Sequence, residues 1–286
     1  AKVVLLTIDD AAYPERLRQT ADAPIFLHVQ GDVTLLAQPS MALVGTRGAS
    51  AYGKRTAQEC AAACVRAGLV TVSGLASGID GEVARETLRE HGRHIAVVGH
   101  GLGMTFPAEH APLRAEIIAR GGAIVSEYAF DTQVLDHQFV ARNRIIAGLA
   151  LGTAVIEAPL RSGALHTAQF ALEEGREVLA APGQLFDPRA AGCLQLIASG
   201  QARLIASPED VPASVGAVVP LSPLSSYEPQ SDAEAAVLAA LTTVPQTMDA
   251  LVPATGLAAG ALSGTLTLLE LAGAARNLGG GEWVRA

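Results

Sequence analysis

From residue 41 to residue 206 the chain alternates short apolar runs, each closed by Gly or a small polar residue, with helical-period segments of 10–18 residues. No other sequence feature constrains the fold as strongly. The runs MALVG (41–45), LVTVS (69–73), HIAVVG (94–99), AIVSE (123–127), TAVIEA (153–158), EVLAAPG (177–183) and ARLIA (202–206) read as strands. Helices are predicted over 51–67, 79–91, 110–120, 140–150, 163–174 and 191–199. Crossovers of this length impose right-handed βαβ units and bring the C-terminal ends of all the strands to one edge of a parallel sheet. Open α/β sheets bind ligands outside that edge, so function is to be sought in the residues that follow each strand.

Residues 1–40 read as a short lead-in, with YPERL suggesting a turn of helix and PIFLHVQGD an edge strand. Five Pro and several Ser between 207 and 231 predict an extended linker over 207–230 and a domain boundary there. The segment 231–286 predicts three short helices, a Gly turn and a terminal strand, which describes a small winged-helix domain. The presumptive recognition helix, Gly256 to Leu271, carries Glu270 and no Lys or Arg. That composition favours a structural or protein-contact module over phosphate binding.

With 286 residues, half of them apolar, the chain can bury one sizeable core and a satellite. The longest apolar stretch, Ile145 to Ile156, is shorter than the ~20 residues of a spanning helix. AKVVLLTIDD lacks the pattern of a secretory signal, so a cytoplasmic protein is expected, with no membrane partner. Three Cys make no disulfide framework, and no metal-ligand spacing links them to the seven His. Cys60 and Cys64 share one face of an Ala-rich helix and read as small buried thiols. The net charge of −8 excludes binding of a polyanion by bulk positive charge. Residues 41–190 hold 14 Lys+Arg against 15 Asp+Glu, whereas 191–286 hold 3 against 8. Any polyanion site is therefore local to the sheet region. It also relies on guanidinium groups, because Lys2 and Lys54 are the only lysines.

Five loops are candidates for chemistry. The first, VGTRGASAYGK, brings Gly45, Thr46, Arg47, Ser50, Gly53 and Lys54 together where a strand passes into a helix. Its glycines let amides approach an anion, and the helix N-terminus adds partial positive charge; the alternative is a tight turn with a surface Arg. The second, SGLASGID, supplies Ser73 and Gly74 before a helix capped near Asp80. The third, GHGLG, is only a weak dinucleotide fingerprint. The fourth, QFVARNRIIAG, gathers Phe139, Arg142, Asn143 and Arg144, offering guanidinium forks for phosphates and a ring for a base face. Its alternative puts Phe139 in the core and pairs an Arg with an internal acid such as Glu127 or Glu157. The fifth places Arg161, Ser162 and Gly163 ahead of a helix bearing His166 and Thr167. His166 reads either as a general base or as part of a capped helix that packs beneath the loops.

In order along residues 41 to 206, VGTRGASAYG, SGLASGID, GLGMTFP, SEY, FVARNRIIAGLA, IEAPLRSGALHTA and APG resemble the DprA (Smf, DNA-processing) family. LQLIASGQARLI, the N-terminal YP and GD segments and the C-terminal tail fit as well. The resemblance implies a Rossmann-like sheet that binds and protects single-stranded DNA during natural transformation and loads RecA recombinase onto it. It further implies a homodimer with neither catalysis nor cofactor. The family's DNA pocket carries over to Gly45, Thr46, Arg47, Phe139, Arg142 and Asn143, with Arg144 and Ser162 as support. The chain departs from the family pattern at Asp136, where a Lys is common, and at Val140, where a Pro is. The main rival is a Rossmann-like nucleotide 5′-monophosphate hydrolase, whose PGGxGTxxE loop is replaced here by RSGALHTAQ without the catalytic Glu. A nicotinamide-dependent dehydrogenase is disfavoured by the weak fingerprint.

Overall fold

The computed structural model describes residues 2–217, 229–242, 246–279 and 281–285. The chain divides into two compact units, Ala1–Val219 and Pro220–Ala286. The first unit opens with β1 (Val3–Thr7), α1 (Glu15–Arg18) and β2 (Phe26–Gly31). It continues through β3 (Ser40–Val44), α2 (Ala51–Arg66), β4 (Val70–Ser73), α3 (Ile79–Arg89), β5 (His94–Val97), α4 (Ala111–Ala119) and β6 (Ala123–Ser126). It closes with α5 (Asp136–Leu149), β7 (Gly152–Val155), α6 (Gly163–Glu173), β8 (Glu177–Ala180), α7 (Ala191–Ala198), β9 (Arg203–Leu204) and α8 (Asp210–Ala213).

These nine strands form one sheet in the order β1-β2-β6-β5-β4-β3-β7-β8-β9. β3 to β9 pair in parallel. Each strand turns alternate residues to opposite faces. Ala42, Val44, Ile95 and Val97 pack with Ile145 and Leu149 of α5 and Ala168 of α6. Met41, Leu43 and Ile156 pack with Cys60 and Cys64 of α2 and Val83 of α3. Helices therefore cover both faces, which is why the strands read as continuous apolar runs rather than alternating ones. Cys60 and Cys64 are fully buried free thiols, as expected, and burial pushes the Cys60 thiol up to about 12.

All seven predicted strands and six predicted helices of the core appear, and three regions differ from expectation. Helix α5 begins at Asp136 rather than 140, because the Gln138 side chain accepts the Leu135 amide at 3.0 Å and organises an extra turn. In the lead-in, PIFLHVQGD forms β2, which is not an edge. It pairs antiparallel with β6 on one side, and β1 covers its other side. Residues 207–217, read as the start of an extended linker, carry α8, and Val211 is fully buried against the α2 layer. The remainder of that stretch, 218–228, lies outside the described residues.

The second unit comprises α9 (Asp232–Ala240), β10 (Gln246–Thr247), α10 (Met248–Thr255), α11 (Ala259–Leu271), β11 (Ala275–Gly279) and β12 (Glu282–Arg285). It is a winged-helix domain. The predicted terminal strand is β12, the centre of a small β10-β12-β11 sheet. Val237, Leu251, Leu262, Leu266, Leu269 and Trp283 form its core. Among the described residues no single helix is long and apolar enough to cross a membrane.

Candidate functional site

β3 lies between β4 and β7. The chain moves outward from β3 through β4, β5 and β6, then returns to the other flank of β3 with β7. Such a reversal opens a crevice outside the carboxyl ends of the two strands, where ligands of open α/β sheets bind. A cavity of about 430 Å³ occupies it, walled by the β3–α2 and β7–α6 loops, the first turns of α5 and α6, and part of the β4–α3 segment.

Eight of the residues expected at the interface converge on this cavity: Gly45, Thr46, Arg47, Phe139, Arg142, Asn143, Ser162 and Gly163. Arg47 is exposed, and its guanidinium lies 5.0 Å from the Phe139 ring centroid. The half-buried Phe139 ring also tilts against Phe106, with centroids 5.6 Å apart. Its environment is thus neither core nor open solvent. Asn143 donates to the Gly163 carbonyl at 3.0 Å, and the Ser162 hydroxyl caps α6 by accepting the Ala164 amide at 3.3 Å. His166 is exposed and stands outside the cavity wall, which agrees with the capped-helix reading of that segment.

Beneath the cavity floor Arg142 is only 4% exposed. Its Nη1 donates to the carbonyls of Gly74 and Val97 at the ends of two neighbouring strands, and its buried Nε has no hydrogen-bond partner among the described residues. Burial pushes this guanidinium down to about 10, which leaves it cationic at neutral pH, and Asp80 opposes the shift. Asp80 is itself buried. Burial pushes its carboxyl up, against the pull of Arg142 and of the Gly74, Ala76 and Gly45 amides. One carboxylate thereby ties the loops after β3 and β4 to the same guanidinium.

Six expected residues stand elsewhere. The N-terminus of α2 does not await a phosphate, because Glu157 already fills it. Its carboxylate accepts the Ser50 amide at 2.8 Å and the Ser50 hydroxyl at 2.6 Å, while Ser50 Oγ accepts the Gly53 amide at 2.9 Å. A Cβ on Gly53 would lie 2.4 Å from Glu157 Oε2, so this glycine makes room for the carboxylate. Lys54 is exposed on α2 away from the cavity. Ser73 is buried, with Oγ 3.2 Å from His94 Nε2. Gly74 seats the Arg142 guanidinium, since a Cβ there would come within 2.6 Å of its Nη atoms. Arg144 is locked to Glu127 and to Asp22, the latter at 2.8 Å, so the ion-pair alternative applies to this arginine. α3 does start near Asp80, with Gly78 at its N-cap, and the Asp80 carboxylate itself accepts the Gly74 amide at 2.9 Å.

Sequence reasoning gave no DNA-contact role to Arg161, Phe106 or Asp80. Arg161 lines the cavity, is exposed and has no ion pair among the described residues. Its signal was its place after β7, which becomes meaningful only once β7 is known to flank β3. The cavity wall thus sets three guanidinium groups, Arg47, Arg142 and Arg161, against the carboxylates of Asp80 and Asp136. The local balance is cationic on a chain of net charge −8. The glycines of the third loop have a packing role, with the Gly103 amide donating to the Phe130 carbonyl at 2.8 Å.

Gly78 sets the relation between the two cavity loops. Its φ is +79°, and a Cβ would lie 2.3 Å from the Thr46 carbonyl. Gly78→Ala should therefore cost about 1–3 kcal/mol of stability and displace the Thr46–Arg47 segment. Urea unfolding checks the first effect, and a native-like unfolding midpoint would contradict it.

A family model for DNA recombination-mediator protein A matches residues 4–216, and one for the DprA winged helix domain matches residues 222–281. The chain is 42% identical to Protein Smf of Escherichia coli (strain K12) over 207 residues, covering 72% of this chain and 55% of that protein. The chain thus spans little more than half the length of this relative. It is 41% identical to DNA processing protein DprA of Bacillus subtilis (strain 168), covering 72% of this chain and 69% of that one. The structure of DprA from Streptococcus pneumoniae aligns with a TM-score of 0.70 at 41% identity, over 74% of each chain. A Helicobacter pylori DNA processing protein A structure, described for its single-stranded DNA binding mode, aligns with a TM-score of 0.66 at 28% identity. It covers 73% of this chain and 93% of that one.

Proposed function

We propose that this chain, which belongs to the DNA recombination-mediator protein A family, binds single-stranded DNA in the β3/β7 crevice and carries out no reaction on it. One observation carries the reading: Arg47, Arg142 and Arg161 line a single cavity at the strand-order reversal together with the half-buried Phe139 ring, over which the Arg47 guanidinium lies. Guanidinium forks engage phosphate oxygens, and a phenyl ring stacks a base of any identity, which together suit a flexible single strand. Similarity to the Helicobacter pylori protein supports the same ligand.

Thr46, Asn143, Ser162 and Gly163 complete the proposed contact surface, with Gly45 as its floor. Protection of the strand, delivery to RecA recombinase during natural transformation, homodimer formation and a cytoplasmic location belong to the same proposal. They rest on the family resemblance.

Arg47→Ala should weaken binding of fluorescent oligo(dT) roughly ten- to a hundredfold, the range for a lost charge-assisted hydrogen bond. It should also lower the slope of log affinity against log salt by about 0.7, one phosphate contact on a single strand. Phe139→Ala should weaken binding with that slope unchanged. Anisotropy titrations at several salt concentrations measure both, and native affinity in Arg47→Ala would refute the cavity as the DNA site.

A further inference from the structure

We infer that a second cavity, over the ends of β7 and β8, seats a base of the same DNA strand beyond the first cavity. This rests on the DNA reading of the first. The second cavity has a volume of about 630 Å³ and is walled by Ser50–Tyr52, Ile156, Glu157, Ala181–Gln184, Asp187, Arg189 and Ala190. The two cavities share their loops: Gly45–Arg47 and Pro159–Gly163 face the first, and Ser50–Tyr52 and Glu157 face the second. Three residues of chain reach at most about 10 Å, so a strand leaving the first cavity across these loops meets the second.

The chemistry of the second wall suits a base and excludes a phosphate. Its one cation, Arg189, is held by Asp187 at 2.9 and 3.0 Å. Glu157 adds a buried negative charge there. Aromatic surface is available instead. Tyr52 is 54% exposed, and its hydroxyl donates to the Pro182 carbonyl at 2.9 Å, which fixes the ring at the rim. Phe186, which follows the wall residue Gln184 but does not itself line the cavity, is 97% exposed. A phenyl group so fully in water, two residues from the wall at Gln184, is accounted for if a base held at the cavity mouth stacks on it. Gln184 and the remaining lone pairs of Glu157 then meet the hydrogen-bonding edge of the base.

The test compares oligo(dT) of 6 and of 15 nucleotides by anisotropy at one salt concentration. Phe186→Ala, which removes a side chain with almost no protein cover, and Tyr52→Ala should each weaken the 15-mer about fivefold or more. The 6-mer should be unaffected, and Tyr52→Phe, which keeps the ring but loses its anchor to Pro182, should weaken the 15-mer less than Tyr52→Ala does. Native 15-mer affinity in both alanine variants, with Arg47→Ala still defective, overturns the second seat and leaves the first. Equal weakening of both oligomers assigns the rings to the first cavity or the scaffold and also overturns it. If Arg47→Ala binds normally, the DNA reading of the first cavity fails, and this extension fails with it.

Discussion

Acidification from pH 6.5 toward pH 3 should remove on the order of 4–5 kcal/mol of stability from the sheet unit through one side chain, His94. This imidazole lies on β5 with no exposed surface, between Thr71 Oγ1 at 2.7 Å and Ser73 Oγ at 3.2 Å. Burial pushes it down to about 3 from an ordinary 6.5. Between those values the unfolded chain binds a proton that the folded chain refuses, so stability rises with pH, by about 1.4 kcal/mol per unit from this group. The contribution is complete above pH 6.5 and lost progressively as pH falls toward 3. Urea unfolding followed by far-UV circular dichroism at half-unit pH steps measures the slope, while Trp283, the only tryptophan, reports the second unit separately. His94→Gln should flatten the slope by about one proton between pH 4 and 6. An unchanged slope would mean that His94 is protonated in the fold.

The parallel core was legible because both of its layers are written locally. A strand such as HIAVVG is apolar on both faces, and the helix between two such strands must cover the sheet to bury them. Even so, register-dependent partners escaped. Glu157 fills the N-terminus of α2 only because β7 pairs with β3, setting Val155 beside Val44 and bringing the Thr46 amide to the Glu157 carbonyl at 2.7 Å. Without that pairing, a Gly-rich turn ahead of a helix looks like an anion site. Strand β1 was missed, and β2 was read as an edge strand rather than as the partner of β6. Its antiparallel attachment to β6 joins segments about ninety residues apart in the sequence, and nothing local marks such a pairing.

Within the site, the legible part was the convergence of loops at one sheet edge, and the illegible part was which arginine points where. Arg142 and Arg144 are two residues apart on α5, so they project some 200° apart around the helix. The first enters the floor beneath the cavity, and the second meets Glu127 and Asp22. Lys54 follows the same geometry. Gly53, Ala57, Cys60 and Cys64 form the buried stripe of α2, and Lys54, one residue off it, faces water.

Arg142→Ala is expected to cost about 3–5 kcal/mol of folding stability, the range for removing one partner of a buried charge pair. Asp80 would lose the cation that opposes its burial, and the carbonyls of Gly74 and Val97 would lose their donor. DNA binding should fall too, but destabilisation alone would produce that, so a second variant is needed to separate the roles. In Asp80→Asn/Arg142→Met the buried charge is removed from both sides, the amide oxygen can still accept the Gly74 amide now bonded at 2.9 Å, and the methionine fills much of the vacated volume. Stability should recover by at least half in urea unfolding. Oligo(dT) affinity should stay low, because the cation beneath the cavity is gone. Native affinity in this double variant would show that Arg142 only braces the loops, leaving phosphate recognition to Arg47 and Arg161.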